Sequence, residues 1–210
     1  MDGTRRGPMS AKSAVAAAYP GARRSDVLLC IAGLTGLATS VVLRVGVAGV
    51  RGAASVPAGL VFGVTLSILA SCLGFTIGRP TRRDVLLGLG TAAALCITPA
   101  IRALDATGHA ARWSGFPMWA AVVTFVAVAE ELMLRGALFE AARRCGGAGF
   151  AVALSAIAFG LLHVPVYGWR VLPLDVAVGA LLGALRLAAD TVWAPACCHV
   201  CADLAGWWLR

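Results

Sequence analysis

Glu130 and Glu131 stand side by side, with Arg135 four residues later, inside an apolar run that begins at Trp119. Charges buried in hydrocarbon cost several kcal/mol or more unless they are paired or hydrated, so such a cluster marks a candidate functional site. On a helix, Glu131 and Arg135 share a face in the favourable Glu-before-Arg order, while Glu130 points in another direction. Glu131 is therefore expected to stay ionised against Arg135. Glu130 is then the carboxylate left to accept a proton, as a general base does when it activates water. The competing reading is a buried ion network that only locks helices together.

Two further groups have the types and spacing for chemistry. Phe159-Gly-Leu-Leu-His163 puts a histidine and an aromatic ring on one helical face, just before Pro165. Taken alone, a buried histidine is more often a satisfied structural donor than a catalytic group. His199-Val-Cys-Ala-Asp203 repeats the four-residue spacing. A carboxylate one turn from a histidine can fix its tautomer, help hold a metal or meet a developing charge. Glu130, Glu131, Arg135, His163, His199 and Asp203 thus fall on three apolar segments, and one shared site explains them better than three accidents. Pro165 and Pro195 each remove a backbone donor close to a histidine, which suits a partly hydrated cavity. Cys197, Cys198 and Cys201 around His199 offer a soft-metal reading, but only Cys197 and Cys201 share a helical face.

The elements that carry these residues are membrane helices. Of the 210 residues, 60% are hydrophobic and 13% charged, and the mean hydropathy is +0.85. One soluble core would struggle to hide that much apolar surface. Apolar runs at about 27–50, 55–78, 84–104, 116–142, 148–167, 171–189 and 191–209 are near the ~20 residues that a helix needs to cross ~30 Å of hydrocarbon. The expectation is an all-α, polytopic membrane protein with seven spans, give or take one, and the site in a membrane cavity.

Residues 1–26 read as a polar, basic, flexible amino terminus, too long for the n-region of a cleaved signal peptide. Residues 27–104 read as three scaffold helices, with Gly59 and Gly63 spaced for close helix approach. Residues 116–209 read as the functional part, where Gly179 and Gly183 repeat that spacing. Asp175 and Arg186 are too far apart to pair within one helix and are expected at the membrane interfaces. With the amino terminus inside, Arg5, Arg6, Lys12, Arg23, Arg24, Arg79, Arg82, Arg83, Arg143, Arg144 and Arg186 lie inside. Arg44, Arg51, Arg102, Arg112, Arg170 and Arg210 lie outside, so the bias favours a cytoplasmic amino terminus. The net charge of +8 is then a topology and lipid signal, and no nucleic-acid module accompanies it. Trp207, Trp208 and Arg210 read as an interfacial anchor. Seven cysteines, six of them within spans, suggest buried thiols and no disulfide framework. No internal repeat supports an inverted-repeat transporter.

In this order on successive apolar segments, Glu130-Glu131-x-x-x-Arg135-Gly136, Phe159-x-x-x-His163 and His199-x-x-x-Asp203 resemble the three motifs of the CPBP family of intramembrane proteases. That family, of CAAX proteases and bacteriocin-processing proteins and also called Abi, includes the type II CAAX prenyl endopeptidases. The resemblance covers about residues 117–208. It implies that Glu130, aided by His163, activates water, that His199 and Asp203 stabilise the oxyanion, and that Glu131 and Arg135 support the site. Asp203 stands where many members carry Asn, so it must be protonated, orient His199 or bind metal; Leu134 replaces the Phe that often precedes the Arg. His163, His199 and Asp203 are the candidate metal ligands, and zinc is the metal such a set would take. Members are described both as metalloproteases and as metal-independent glutamate enzymes, and the balance of these residues leans away from a tightly held zinc. The implied partners are the lipid bilayer and a peptide or protein substrate, prenylated or membrane-associated, in a bacterial cell membrane. A noncatalytic immunity or regulatory protein of the same fold is the alternative, and a transporter or proton relay using Glu130 and His163 a third reading.

Overall fold

Apolar sequence without a turn signal folds as helix wherever hydrocarbon leaves the backbone no other hydrogen-bond partner. The computed structural model describes residues 24–52, 54–105 and 115–208, and among these every regular element is helical. They are α1 (Arg24–Gly52), α2 (Val56–Cys72), α3 (Arg82–Asp105), α4 (Phe116–Glu131), a π-helical segment (Leu132–Leu138), α5 (Phe139–Tyr167), a 3₁₀ turn (Trp169–Val171), α6 (Leu172–Ala189) and α7 (Trp193–Gly206). The basic amino-terminal segment to residue 23, Arg112 and Arg210 lie outside the described residues.

Three helical stretches are long and apolar enough to cross a membrane by length and composition: Arg24–Val50, Phe116–Tyr167 and Trp169–Ala189; Val56–Cys72 is a shorter apolar helix. The 52-residue stretch is broken at Gly147, where φ is 80° and ψ −175°. Positive φ suits glycine, which has no Cβ to clash with its own backbone. The break falls between the expected runs 116–142 and 148–167, so the first of them continues to Gly146. The expected run 55–78 is shorter as helix, ending at Cys72.

Large apolar side chains cover the outer faces: Leu28 is 64% exposed, Val42 68% and Leu86 70%. A protein in water rarely leaves so much apolar surface uncovered, whereas lipid tails would cover it. Inside, Phe62, Leu66, Met133, Leu134, Leu138 and Leu182 are fully buried in one core. α5 packs on α6, α3 on α7, α1 on α2 and α5, and α4 on α2 and α7. Gly179 allows the close approach of α6 to α5, since a Cβ there would meet the Ala156 backbone at 2.9 Å.

Two expectations change. Residues 24–26, expected in the polar amino-terminal segment, are helical, and Asp26 pairs with Arg144 of α5 at 2.7 Å. Arg186 leaves the interface for the interior: it bonds the Arg135 carbonyl at 3.0 Å and Glu140 at 2.7 Å. The Cys30 and Cys145 sulfurs approach to 3.8 Å as free thiols.

Candidate active site

The carboxylate pair sits at a change of helix type. α4 ends at Glu131, and the next seven residues, Arg135 among them, form the π-helical segment. A π segment widens the helix and misaligns its carbonyls, and such segments are frequent at functional sites. Here the Arg135 carbonyl accepts a bond from Arg186 Nε, while Arg186 Nη2 donates to Glu140 in the first turn of α5. Arg186 therefore braces the irregular backbone directly behind the site.

The two glutamates differ in what they touch. Glu131 is fully buried and accepts from Arg135 Nη1 and His199 Nδ1, both at 2.9 Å on Oε1. Arg135 is equally buried, donates Nη2 to the Gly179 carbonyl at 2.9 Å and lies over the Phe159 ring at 4.7 Å. Those contacts join the π segment to α5, α6 and α7. Glu130 is 2% exposed, its nearest ionic contact is His199 Nε2 at 3.8 Å, and it lines a cavity. At 3.8 Å that contact is electrostatic, too long for a hydrogen bond.

Both histidines have their tautomer set by what Nδ1 meets. His163 Nδ1 lies 2.8 Å from the Phe159 carbonyl, which only accepts, so that nitrogen carries the proton and Nε2 is left with its lone pair. His199 Nδ1 likewise donates to Glu131, leaving Nε2 between Glu130 at 3.8 Å and Asp203 at 3.6 Å. The hydrogen bond that orients His199 thus belongs to Glu131, and Asp203, 44% exposed, is beyond hydrogen-bond reach. The Phe159 ring lies between the histidines, 4.6 Å from His163 and 5.3 Å from His199.

Two cavities meet at this cluster. One, of about 370 Å³, is lined by Glu130, His163, Tyr167 and Asp203 together with Arg44, Ser55, Trp119 and Trp207. The other, of about 460 Å³, has His163, His199, Asp203 and Asp175 among apolar residues such as Leu95, Leu174 and Val178. His163, Tyr167 and Asp203 line both, so they form the shared wall.

All six residues singled out in the sequence thus come to one place. Glu130, Glu131, Arg135, His199 and Asp203 are linked by direct contacts, while His163 joins them through Phe159 and the shared cavity wall. Sequence reading missed Arg44, Asp175, Arg186 and the Gly179 carbonyl. Arg44 and Arg186 carried a signal, being charges within apolar runs. Pro195 sits in the first turn of α7 and does not interrupt it. Trp207 is more than an anchor, since its ring packs 4.7 Å from Trp119 at the cavity.

Among the described residues no group of three His, Cys, Asp or Glu side chains is disposed to hold a metal ion. The set His163, His199 and Asp203 therefore does not assemble as three zinc ligands, nor do the cysteines around His199.

Residues 112–205 match the family described as type II CAAX prenyl endopeptidase Rce1-like. No curated protein and no solved structure matches the chain.

Proposed function

We propose that this chain, whose residues 112–205 match the family described as type II CAAX prenyl endopeptidase Rce1-like, is a glutamate-dependent intramembrane endopeptidase. One observation carries the reading: Glu131 is consumed by Arg135 and His199, while its neighbour Glu130 faces a cavity that His163 also lines.

Glu130 and the lone pair on His163 Nε2 hold a water in that cavity, and Glu130 takes its proton as the oxygen attacks the peptide carbonyl. Charge then develops on the carbonyl oxygen. His199, fixed by Glu131 through Nδ1, meets it in its doubly protonated form through Nε2–H, with Asp203 beside that nitrogen at 3.6 Å. Collapse of the tetrahedral intermediate breaks the C–N bond, and the proton held by Glu130 passes to the leaving amine. Arg135 and Arg186 keep the π segment in shape and do not touch the substrate. No step passes through a metal.

In this reading residues 116–209 carry the catalytic helices, 27–104 the scaffold, and the chain crosses the membrane seven times with its amino terminus in the cytoplasm. The test is hydrolysis of fluorogenic peptides by purified protein. Glu130→Gln, His163→Ala and His199→Ala are each expected to lower kcat by about a hundredfold or more while the protein stays folded. Full activity in all three would sink the protease reading. Peptide binding without turnover, unchanged in Glu130→Gln, would favour a binding protein instead.

A further inference from the structure

A third cavity, of about 470 Å³, opens at the basic end of the molecule, between the loop that precedes α3 and the turn from α6 into α7. Three guanidiniums line it. Arg79 is exposed and makes no ion pair among the described residues, while Arg83, also exposed, commits only Nη2, to the Ala188 carbonyl at 3.1 Å. Arg186 is 7% exposed and reaches the cavity from the interior. Two carboxylates share the space, and neither fills it. Asp84 is buried and accepts from the Thr81 backbone N–H at 2.8 Å, which caps the start of α3. Asp190 is 86% exposed and meets Arg186 Nη1 at 3.3 Å. An ion pair so open to water is weak, so another anion can take the place of Asp190. The loop is already fixed, because the Trp193 indole donates to the Gly78 carbonyl and ties it to α7.

Guanidinium forks match phosphates and carboxylates alike, and here the position of the cavity decides between them. Leu86, one turn into α3, is 70% exposed, a surface that lipid tails would cover, so the cavity stands where tails give way to head groups. Basic pockets between helices at that depth hold lipid phosphates. Two of the lining residues also touch the π segment. Arg186 Nε bonds the Arg135 carbonyl, and the Phe75 ring lies so close to Gly136 that a Cβ there would meet it at 2.7 Å. A ligand that fixes Arg186 therefore fixes the backbone that carries Arg135. We propose that Arg79, Arg83 and Arg186 bind the phosphate group of an anionic lipid head group in this cavity, and that the bound phosphate stiffens the π segment beside Glu131.

The test follows the unfolding temperature of the full chain in zwitterionic detergent as short-chain phosphatidylglycerol, short-chain phosphatidylcholine or inorganic phosphate is added. A ligand that binds only the folded state raises that temperature with its concentration, so each titration yields an apparent Kd. Phosphatidylglycerol is expected to bind about tenfold more tightly than phosphatidylcholine, whose choline brings a cation up to the arginines, and than inorganic phosphate, which has no tails. Arg79→Gln is expected to weaken that binding by about tenfold, and Arg79→Gln with Arg83→Gln by about a hundredfold. Arg82→Gln is the control. Arg82 is exposed and next to Arg83 but does not line the cavity, so its variant is expected to bind as wild type does.

Equal binding of the two lipids overturns the proposal, as does a double variant that binds as wild type does. An Arg82→Gln loss as large as that of the double variant overturns it too, since it marks attraction to charge at large. Inorganic phosphate that binds as tightly as phosphatidylglycerol, with the same loss in the double variant, overturns the lipid source and assigns the site to a soluble phosphate. If the double variant fails to fold, Arg79→Gln decides alone, because Arg79 holds no ionic partner in the fold. Stiffening is read by amide hydrogen exchange at Leu132–Leu138, which saturating phosphatidylglycerol is expected to slow in wild type and not in the double variant. Exchange that the lipid leaves unchanged in wild type overturns the link to the π segment. Neither measurement needs catalysis, so both outcomes are independent of the protease reading.

Discussion

Two glutamates adjacent in sequence differ in everything that governs their chemistry. Glu131 has two partners at 2.9 Å and no exposure, so removing its charge leaves Arg135 buried without its counter-ion. Stranding one partner of a buried ion pair costs about 3–5 kcal/mol. Glu130 has no ionic contact closer than 3.8 Å and faces the cavity. Glu131→Gln is therefore expected to lower the unfolding free energy in detergent by about 3 kcal/mol or more, and Glu130→Gln to change it by under about 1 kcal/mol. Chemical denaturation of both variants beside wild type reads this contrast, and equal losses would mean that Glu130 is also a structural ion. The sequence carried half of the distinction. The four-residue spacing paired Glu131 with Arg135, but the bond from Glu131 to His199 spans 68 positions along the chain and no local pattern foretells it.

At the scale of elements, the apolar runs in the sequence fall mainly on helix, though the run 55–78 stops at Cys72 and three stretches are long and apolar enough to cross a membrane. Irregularity within helices is less legible. The π segment at Leu132–Leu138 has no signal of its own in composition, since what maintains it is distant: the guanidinium of Arg186 on the Arg135 carbonyl and that of Arg135 on the Gly179 carbonyl. Small-residue spacing did point to α6, but not to the carbonyl it would present. Gly179 now joins two functions, close approach to α5 and acceptance of the Arg135 bond. Gly179→Ala would drive a methyl group into the Ala156 backbone, which cannot turn aside as a side chain can. It is expected to destabilise the fold by about 1–3 kcal/mol and to lower activity by loosening Arg135. Gly149→Ala, where a Cβ meets nothing within 4 Å, is expected to be neutral or to stabilise α5 by up to about 1 kcal/mol. Thermal unfolding of the two variants in detergent is the measurement, and a Gly179→Ala protein as stable as wild type would remove the close-packing account.

Over the whole molecule, charge and aromatic rings separate to opposite ends. Arg83 reaches the Ala188 carbonyl at the end of α6, Arg144 pairs with Asp26 at the start of α1, and Arg143 pairs with Glu140, so these arginines gather where α1 begins and α6 ends. Phe116, Trp119, Trp207 and Trp208 pack together as tilted rings where α4 begins and α7 ends. The cavity holding Glu130 includes Trp119, Tyr167 and Trp207 from this second end, and also Ser55 from the start of α2. The helices called scaffold thus wall the cavity, which the hydropathy of residues 27–104 gave no reason to expect. Arg44 likewise cannot be counted as a loop charge, since it is buried in α1. Arg186, counted on the inside, is buried in α6 as well, so removing both arginines leaves the excess of inside charges as it was. With seven crossings, tags on the two termini must then lie on opposite sides of the membrane, the amino-terminal one protected from added protease in intact cells and the carboxyl-terminal one digested. Both tags on one side would require an even number of crossings. The reverse arrangement, amino-terminal tag digested and carboxyl-terminal tag protected, would keep seven spans but turn the cavity toward the cytoplasm, where its peptide substrates would have to be found.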